Sequence, residues 1–263
     1  MSGDHERLLA QSRHMIEASP SGRPSAERLV VGLQPVREAI RAHGAAVARV
    51  LLAEGDSPRL DALARFARDQ GAGEVVRRPR RELDRLAAAA SHQGAAAWVP
   101  PLKLLSLGEL WQRPWRIALA LDQIQDPQNF GACIRSAVAL AGAPILWAEH
   151  ASAPLSLATF RASAGAIEHA CLCRLPALPD ALCELQSRGA NVVGLATEAP
   201  TELRDLGPSE RWVVVVGSEH GGLRRPVRRQ CSVLSRVTEM RHVESLNASV
   251  AAAIALYALT RPP

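Results

Sequence analysis

The sequence predicts an α/β protein: a parallel sheet covered on both faces, preceded by a smaller αβ domain. Three observations carry that prediction. Apolar runs at residues 117–121, 191–196 and 213–216, the last of them β-branched, read as buried strands, since a strand covered on both faces has no polar side to alternate with. Helical stretches of about ten residues separate the strands, the spacing of β-α-β units whose strands run parallel. Asp126-Pro127 at one end and Gly142 at the other punctuate one such helix as an N-cap, a first-turn proline and a C-terminal glycine should.

Residues 1–26 mix charge with Ser19-Pro20-Ser21-Gly22-Arg23-Pro24 and carry too little apolar surface to order themselves, so they read as a disordered tail. The first strand is Leu29-Val30-Val31, ending at Gly32. Pro35 near a start and Gly44 past an end mark a helix over residues 36–43. A strand follows at 47–53. Ser57-Pro58 then caps a helix whose Leu60, Leu63, Ala64 and Ala67 recur at helical spacing up to Gly71. Val75-Val76 reads as a short strand, residues 77–90 as a basic helix and 94–99 as another strand, so residues 27–100 form the small αβ domain. Pro100-Pro101 and the polar interval up to Pro114 place a linker at residues 101–115.

The second domain, residues 116–263, opens with the strand at 117–121 and the helix running to Ala141. Residues 144–148 return as a strand, 155–164 as a helix, 170–175 as a strand, 180–188 as a helix and 191–196 as a buried strand. The run at 213–216 stops at Gly217-Ser218-Glu219-His220-Gly221-Gly222, a loop built for close backbone approach to a ligand. A basic segment and another strand lead to Ser245-Leu246-Asn247, which opens an alanine-rich helix to residue 259. Its Leu246, Val250, Ile254 and Tyr257 recur at helical spacing and read as a core stripe.

With 263 residues and 48% hydrophobic composition the chain is long enough for two cores. Thirty-one Lys+Arg against 26 Asp+Glu give a net charge of +5, nearly all of it arginine, a mild bias toward a polyanionic partner. Five cysteines, Cys133, Cys171, Cys173, Cys183 and Cys231, are an odd number without C-x2-C spacing and read as reduced thiols with no metal to hold. No run of about 18 apolar residues and no basic stub with an apolar h-region exists, so the protein is expected to be soluble, cytoplasmic and free of membrane.

No dinucleotide fingerprint, phosphate P-loop, G-x-S-x-G elbow or H-E-x-x-H accompanies any strand, which removes the commonest nucleotide and hydrolase chemistries. What remains is three separated polar clusters: Asn129 with Arg135, Glu219 in the glycine loop, and Ser245 with Asn247. All three fall just beyond the carboxyl ends of predicted parallel strands, where open α/β sheets place ligands. Two arginine clusters, Arg77-Arg78-Pro79-Arg80-Arg81 and Arg224-Arg225-Pro226-Val227-Arg228-Arg229, are open to phosphate contact or to being plain solvated faces.

The segments Asp126-Pro127-Gln128-Asn129-Phe130-Gly131-Ala132-Cys133-Ile134-Arg135, Gly217-Ser218-Glu219 and Ser245-Leu246-Asn247-Ala248-Ser249-Val250 resemble, in order and spacing, the three motifs of the SpoU (TrmH) family of RNA ribose 2'-O-methyltransferases. The resemblance covers residues 116–260. Residues 28–100, with Val31-Gly32 and His92-Gln93-Gly94, resemble the L30e-like RNA-binding domain of the branch that methylates a guanosine of 23S ribosomal RNA. The fold this implies is a parallel sheet ending in a deep trefoil knot of the SPOUT type, in a homodimer that uses S-adenosylmethionine.

The same resemblance implies roles. Arg135 acts on the ribose 2'-hydroxyl, with Asn129, Glu219 and Asn247 shaping the pocket. S-adenosylmethionine lies among Gly217, Val237 and Leu246, with Thr197 nearby. A guanidinium with a pKa above about 12 is an awkward base, so orienting a phosphate or stabilising an alkoxide suits Arg135 better than proton abstraction. Two of these residues admit plainer readings: Glu219 as a carboxylate bonded to backbone amides, Asn247 as a helix N-cap. The sequence departs from the family at Val237-Thr238-Glu239, where relatives carry Ile-Pro-Met, which touches the cofactor loop. The expected function is methyl transfer to ribosomal RNA. Transfer RNA as substrate, and a non-catalytic RNA-binding or ribosome-assembly role, are the alternatives.

Overall fold

The computed structural model describes residues 27–87, 91–149, 152–219 and 221–260. The expected tail at 1–26, the end of the expected basic helix at 88–90 and His220 of the glycine loop lie outside them. The chain divides into two compact units between Lys103 and Leu104.

The first unit is a four-stranded mixed sheet in the order β1-β4-β2-β3, formed by β1 (Arg28–Val31), β2 (Arg49–Ala53), β3 (Glu74–Arg78) and β4 (Ala95–Val99). Strands β1 and β2 run antiparallel to β4, and β3 runs parallel to β2. Helix α1 (Leu33–His43) and helix α2 (Pro58–Asp69) cover one face, where Val30, Val50, Leu52, Ala97 and Val99 meet Val36, Ile40, Leu60 and Leu63. Val31, Leu51 and Ala96, one residue out of phase, point to the other face, as the two-residue period of a strand requires. Ser57 caps α2 through its hydroxyl, which accepts from the Leu60 amide.

The basic helix expected at 77–90 is a correction. Arg77 and Arg78 belong to β3, paired in register with Leu52 and Ala53, and among the described residues of that stretch the helix is α3 (Arg80–Leu86). The Arg77 guanidinium closes that strand end by donating to the Ala53 carbonyl at 2.7 Å and to Asp61. His92, only 3% exposed, opens β4: its Nδ1 accepts from the Gly94 amide at 3.0 Å, which leaves Nε2–H to donate to Asp84 at 2.8 Å.

The interval expected as a linker, residues 101–115, is partly structured, a second correction. Ser106 and Glu109 form a reciprocal capping box that starts α4 (Leu107–Trp111). Leu105, Leu110 and Trp115 are buried, Trp111 meets Trp115 edge to face at 5.8 Å, and the Arg211 guanidinium lies 4.0 Å over the Trp111 ring.

The second unit is a seven-stranded sheet in the order β7-β6-β5-β10-β8-β11-β9, parallel at every pairing. Its strands are β5 (Ile117–Leu121), β6 (Ile145–Ala148), β7 (Leu172–Leu175), β8 (Asn191–Leu195), β9 (Thr201–Glu202), β10 (Trp212–Val216) and β11 (Val233–Arg236). Strands β5 and β10 form the centre, in register from Ile117 opposite Trp212 to Leu121 opposite Val216, and all ten residues are buried.

Helix α5 (Pro127–Ala141) and the C-terminal helix α9 (Ala248–Thr260) pack on each other and on β5, with α9 also against β10. Helix α6 (Leu157–Ala162) follows β6 in the chain and packs on α5. On the opposite face α7 (Leu178–Ser187) and α8 (Arg225–Arg229) cover Ala118, Ala120, Val213 and Val215. Asp126 caps α5 as its carboxylate accepts from the Gln128 and Asn129 amides, and Gly142 ends it in the left-handed region at φ 55°. The stripe read as core on α9 is overturned: Val250, Ile254 and Tyr257 are exposed, and the buried face is Ala248, Ala252, Ala255 and Leu256. Small residues lie at the helix–helix contact because they let the two backbones approach.

Candidate functional site

The order of the second sheet creates the site. From β5 the chain steps outward to β6 and β7, then crosses to β8 on the other side of β10, so β5 and β10 flank the point where the winding reverses. Crevices open at the carboxyl ends of strands at such a point. Here four of those ends, of β5, β8, β10 and β11, deliver the loops that matter.

Between the ends of β8, β10 and β11 lies a cleft of about 350 Å3. Leu195, Val216, Leu223, Leu246 and Ala251 make its apolar lining, while Thr197, Glu198, Ser218, Arg228 and Arg236 bring polar groups. All four residues expected around a cofactor, Thr197, Gly217, Val237 and Leu246, line it. Gly217 has to be glycine: a Cβ there would lie 2.2 Å from the backbone carbonyl of Gly222, where the loop folds back and the Gly222 amide donates to the Ser218 carbonyl at 2.9 Å. In the segment that departs from the family pattern, Val237, Thr238 and Met240 line the cleft, whereas Glu239 is exposed and outside the lining.

At the cleft's edge three of the four expected catalytic residues meet. The Asn129 Nδ2 donates to Glu219 Oε1 at 2.9 Å, and the Asn247 Nδ2 donates both to Asn129 Oδ1 at 2.9 Å and to Glu219 Oε1. The direction of every bond follows from one end. Asn247 Oδ1 accepts from the amides of Ser249 at 2.9 Å and Val250 at 3.3 Å, so it caps α9 and its NH2 must face the other way. That leaves the Asn129 carbonyl as acceptor and its NH2 for Glu219. The plainer reading of Asn247 as a cap and the reading of it as a site residue are thus both realised. Glu219 is held by side-chain amides rather than by the backbone.

Arg135 is not part of this cluster. It lies two turns further along α5, exposed, and among the described residues no hydrogen bond or ion pair holds it. The arginine clusters divide in the same way. Arg224 and Arg228 are engaged, the first by Asp122 and the second by Glu198, whose carboxyl that bond holds below the usual range; Arg225 and Arg229 are exposed.

Sequence reasoning passed over Asp122. It follows β5 directly and is 0% exposed, and its carboxylate accepts from the Arg224 amide at 2.9 Å and from Arg224 Nε at 2.7 Å. A charge placed at the end of a five-residue apolar strand was the available signal, because such a carboxylate enters the interior only with a partner. Among the described residues no group of three or more His, Cys, Asp or Glu is placed to hold a metal ion, and no helix is long and apolar enough to cross a membrane.

Two family models match the chain. One, described as the SpoU rRNA Methylase family, covers residues 116–257; the other, described as RNA 2'-O ribose methyltransferase substrate binding, covers residues 29–105. A protein of Mycobacterium ulcerans (strain Agy99), described as an uncharacterized tRNA/rRNA methyltransferase, is 37% identical over 262 residues, spanning 97% of this chain and 83% of that protein. A Mycobacterium avium (strain 104) protein of the same description is 36% identical over 248 residues, spanning 92% and 80%. Among solved structures, the methyltransferase AviRb of Streptomyces viridochromogenes, in complex with AdoMet, superimposes with a TM-score of 0.75 at 21% identity over 96% of both chains. An AdoMet-bound rRNA methyltransferase from Sinorhizobium meliloti gives 0.72 at 21% identity over 89% of this chain and 87% of that one. At that identity the likeness is one of fold.

Proposed function

This chain belongs to the SpoU rRNA Methylase family, and from that premise we propose that it transfers the methyl group of S-adenosylmethionine to a ribose 2'-hydroxyl of RNA, a guanosine of 23S ribosomal RNA being the favoured target. The observation that carries the reading is the Asn129–Glu219–Asn247 cluster at the edge of the cleft.

The cleft fits the cofactor chemically. Its apolar lining suits adenine, and Glu219 and Glu244 suit a cationic amine and sulfonium. When bound, S-adenosylmethionine supplies an electrophilic methyl group on a sulfonium. The chain's own residues align the incoming hydroxyl and help its proton to leave. Glu219, oriented by two amides, supplies a fixed acceptor beside the cleft. Arg135, exposed and with no hydrogen bond or ion pair among the described residues, is placed to take an RNA phosphate or to stabilise the developing alkoxide. The exposed position of Glu239 supports retained cofactor binding.

The reading extends to the rest of the molecule. Insertion of β10 between β5 and β8, with the 237–246 segment lining the same cleft, supports a knotted cofactor fold. The mixed four-stranded first unit and its substrate-binding family match support an L30e-like RNA-binding domain at residues 27–100. The exposed apolar face of α9 supports a homodimer.

Tritiated S-adenosylmethionine incubated with total RNA tests the function. Wild type should label 2'-O positions, with ribosomal RNA labelled over transfer RNA, and Arg135→Ala should lose at least a hundredfold in rate, on the order of one lost transition-state contact. Absence of cofactor binding at millimolar concentration by calorimetry would overturn the reading.

A further inference from the structure

We propose that the cleft between α1 and α2 of the first unit seats one unpaired nucleotide of the RNA substrate, its base against the Phe66 ring and its phosphates between Arg37 and Arg59. The inference rests on the RNA reading above and adds where in the unit a nucleotide is held.

The two helices part to leave a cavity of about 340 Å3, floored by Leu33, Ala62, Leu63 and Phe66 and flanked by Arg37 and Arg59. Ligand pockets begin at roughly 300 Å3, so this one admits a nucleotide and excludes a duplex. Phe66 is half-buried, packed against the hydrophobic core and presenting a ring to the cavity it lines. The Arg37 guanidinium lies 5.7 Å from that ring's centroid, so a planar cation already occupies part of the stacking position that a base would use.

The cleft brings two arginines together beside one aromatic ring, which the other exposed arginines of the unit do not do. Arg41, Arg49, Arg77 and Arg78 each pair with a carboxylate. Arg37 and Arg59 are exposed and have no ion pair among the described residues. The acid nearest in sequence to Arg37, Glu38, is taken by Arg41 and by the Gln34 amide at 2.9 Å. Gln34 also lines the cleft, and that bond uses its NH2 and leaves its carbonyl oxygen to accept from a base amino group. One aromatic face, two guanidinium groups with no ion pair among the described residues, one of which a base would displace from the ring, and one acceptor are the set with which proteins hold a splayed single-stranded base.

The test uses the full chain and a labelled single-stranded RNA 12-mer of mixed sequence, alone or annealed to its complement, with binding followed by fluorescence anisotropy over a potassium chloride series. Phe66→Leu should weaken single-strand binding about tenfold, and Phe66→Tyr, which restores a ring, should recover it. Arg37→Gln with Arg59→Gln should lower the slope of log affinity against log salt by about 1.4, near 0.7 for each phosphate contact to a single strand. S-adenosylmethionine binding should match wild type in every variant, and Phe66→Tyr should also recover whatever thermal midpoint Phe66→Leu loses at its core contact. Wild-type affinity and slope in all variants would overturn the proposal, as would an equal loss on the duplex. The failures are distinguishable: a wild type that binds the 12-mer through Phe66 but transfers no methyl group sinks the enzymatic reading alone, whereas methyl transfer with variants that bind as wild type sinks the cleft alone.

Discussion

The Asp122 carboxylate holds Arg224 at two points, the backbone amide at 2.9 Å and Nε at 2.7 Å, and so ties the end of β5 to the far side of the glycine loop that follows β10. The aspartate is fully buried and the arginine side chain about one-third exposed. Removing one partner of a buried pair strands the other, at a cost of about 3–5 kcal/mol when both are enclosed. Asp122→Ala should therefore lose about 3 kcal/mol in urea unfolding, toward the low end because water reaches Arg224. A loss below about 1 kcal/mol would show that the pair contributes nothing net.

Asn247 carries two duties that substitution can separate. Serine caps a helix about as well as asparagine but has no amide to reach Glu219 and Asn129. Asn247→Ser should stay within about 0.5 kcal/mol of wild-type stability and still lose methyl transfer, while Asn247→Ala should lose activity and about 1 kcal/mol. Full activity in Asn247→Ser would remove this residue from the site.

At Gly217 the added methyl of Gly217→Ala meets the Gly222 backbone and forces the loop open. Calorimetry should then show S-adenosylmethionine binding lost. Gly207→Ala, where a Cβ meets nothing within 4 Å, should bind as wild type. Equal affinities in the two variants would mean that the loop's shape is irrelevant to the cofactor.

Burial pushes the Cys133 and Cys173 thiols up to about 12 and the Cys231 thiol up to about 11, from an ordinary 9.0. These folded-state values lie above the unfolded one, so the stability they contribute is complete below pH 9 and is lost as pH rises toward 11–12. Denaturant midpoints should fall across that alkaline window. Native alkylation near pH 8 should modify the exposed Cys183 and spare these three, since the thiolate is the reactive form. Rapid labelling of all five would contradict the burial.

Ile254 stands exposed on α9 between Val250 and Tyr257. If that face is covered by a second copy, wild type sediments as a dimer and Ile254→Glu as a monomer. A monomeric wild type would end the homodimer reading.

How far the sequence led depended on the kind of signal. Strand β5, helix α5 and strand β10 were legible because an unbroken apolar run, an Asp-Pro cap and a closing glycine are local marks. Helix α4 was hidden in a stretch read as a linker, although its Ser106 to Glu109 capping box was there to be read. Arg77 and Arg78 suggested a charged helix, yet a guanidinium can sit on a strand edge once its carbonyl partners are in place. Apolar spacing on α9 identified a face but not what covers it, and the small residues took the buried side. The cluster of Asn129, Glu219 and Asn247 joins positions 90 and 118 residues away from Asn129, a distance no local pattern spans. Their loops could be placed at strand ends, and the family resemblance supplied the grouping.

The central place of β10 also sets an order of events during synthesis. Strand β10 pairs with both β5 and β8, although both precede it in the chain. Until residues 212–216 have left the ribosome, β5 and β8 each keep an open edge, and Asn129 waits for partners not yet made. Open apolar edges invite pairing with other chains, and contacts between distant segments form slowly. The segment from residue 212 onward, about a fifth of this chain, is therefore what joins the two halves of an aggregation-prone nascent sheet, and a message truncated before codon 212 should yield insoluble product rather than a smaller working protein.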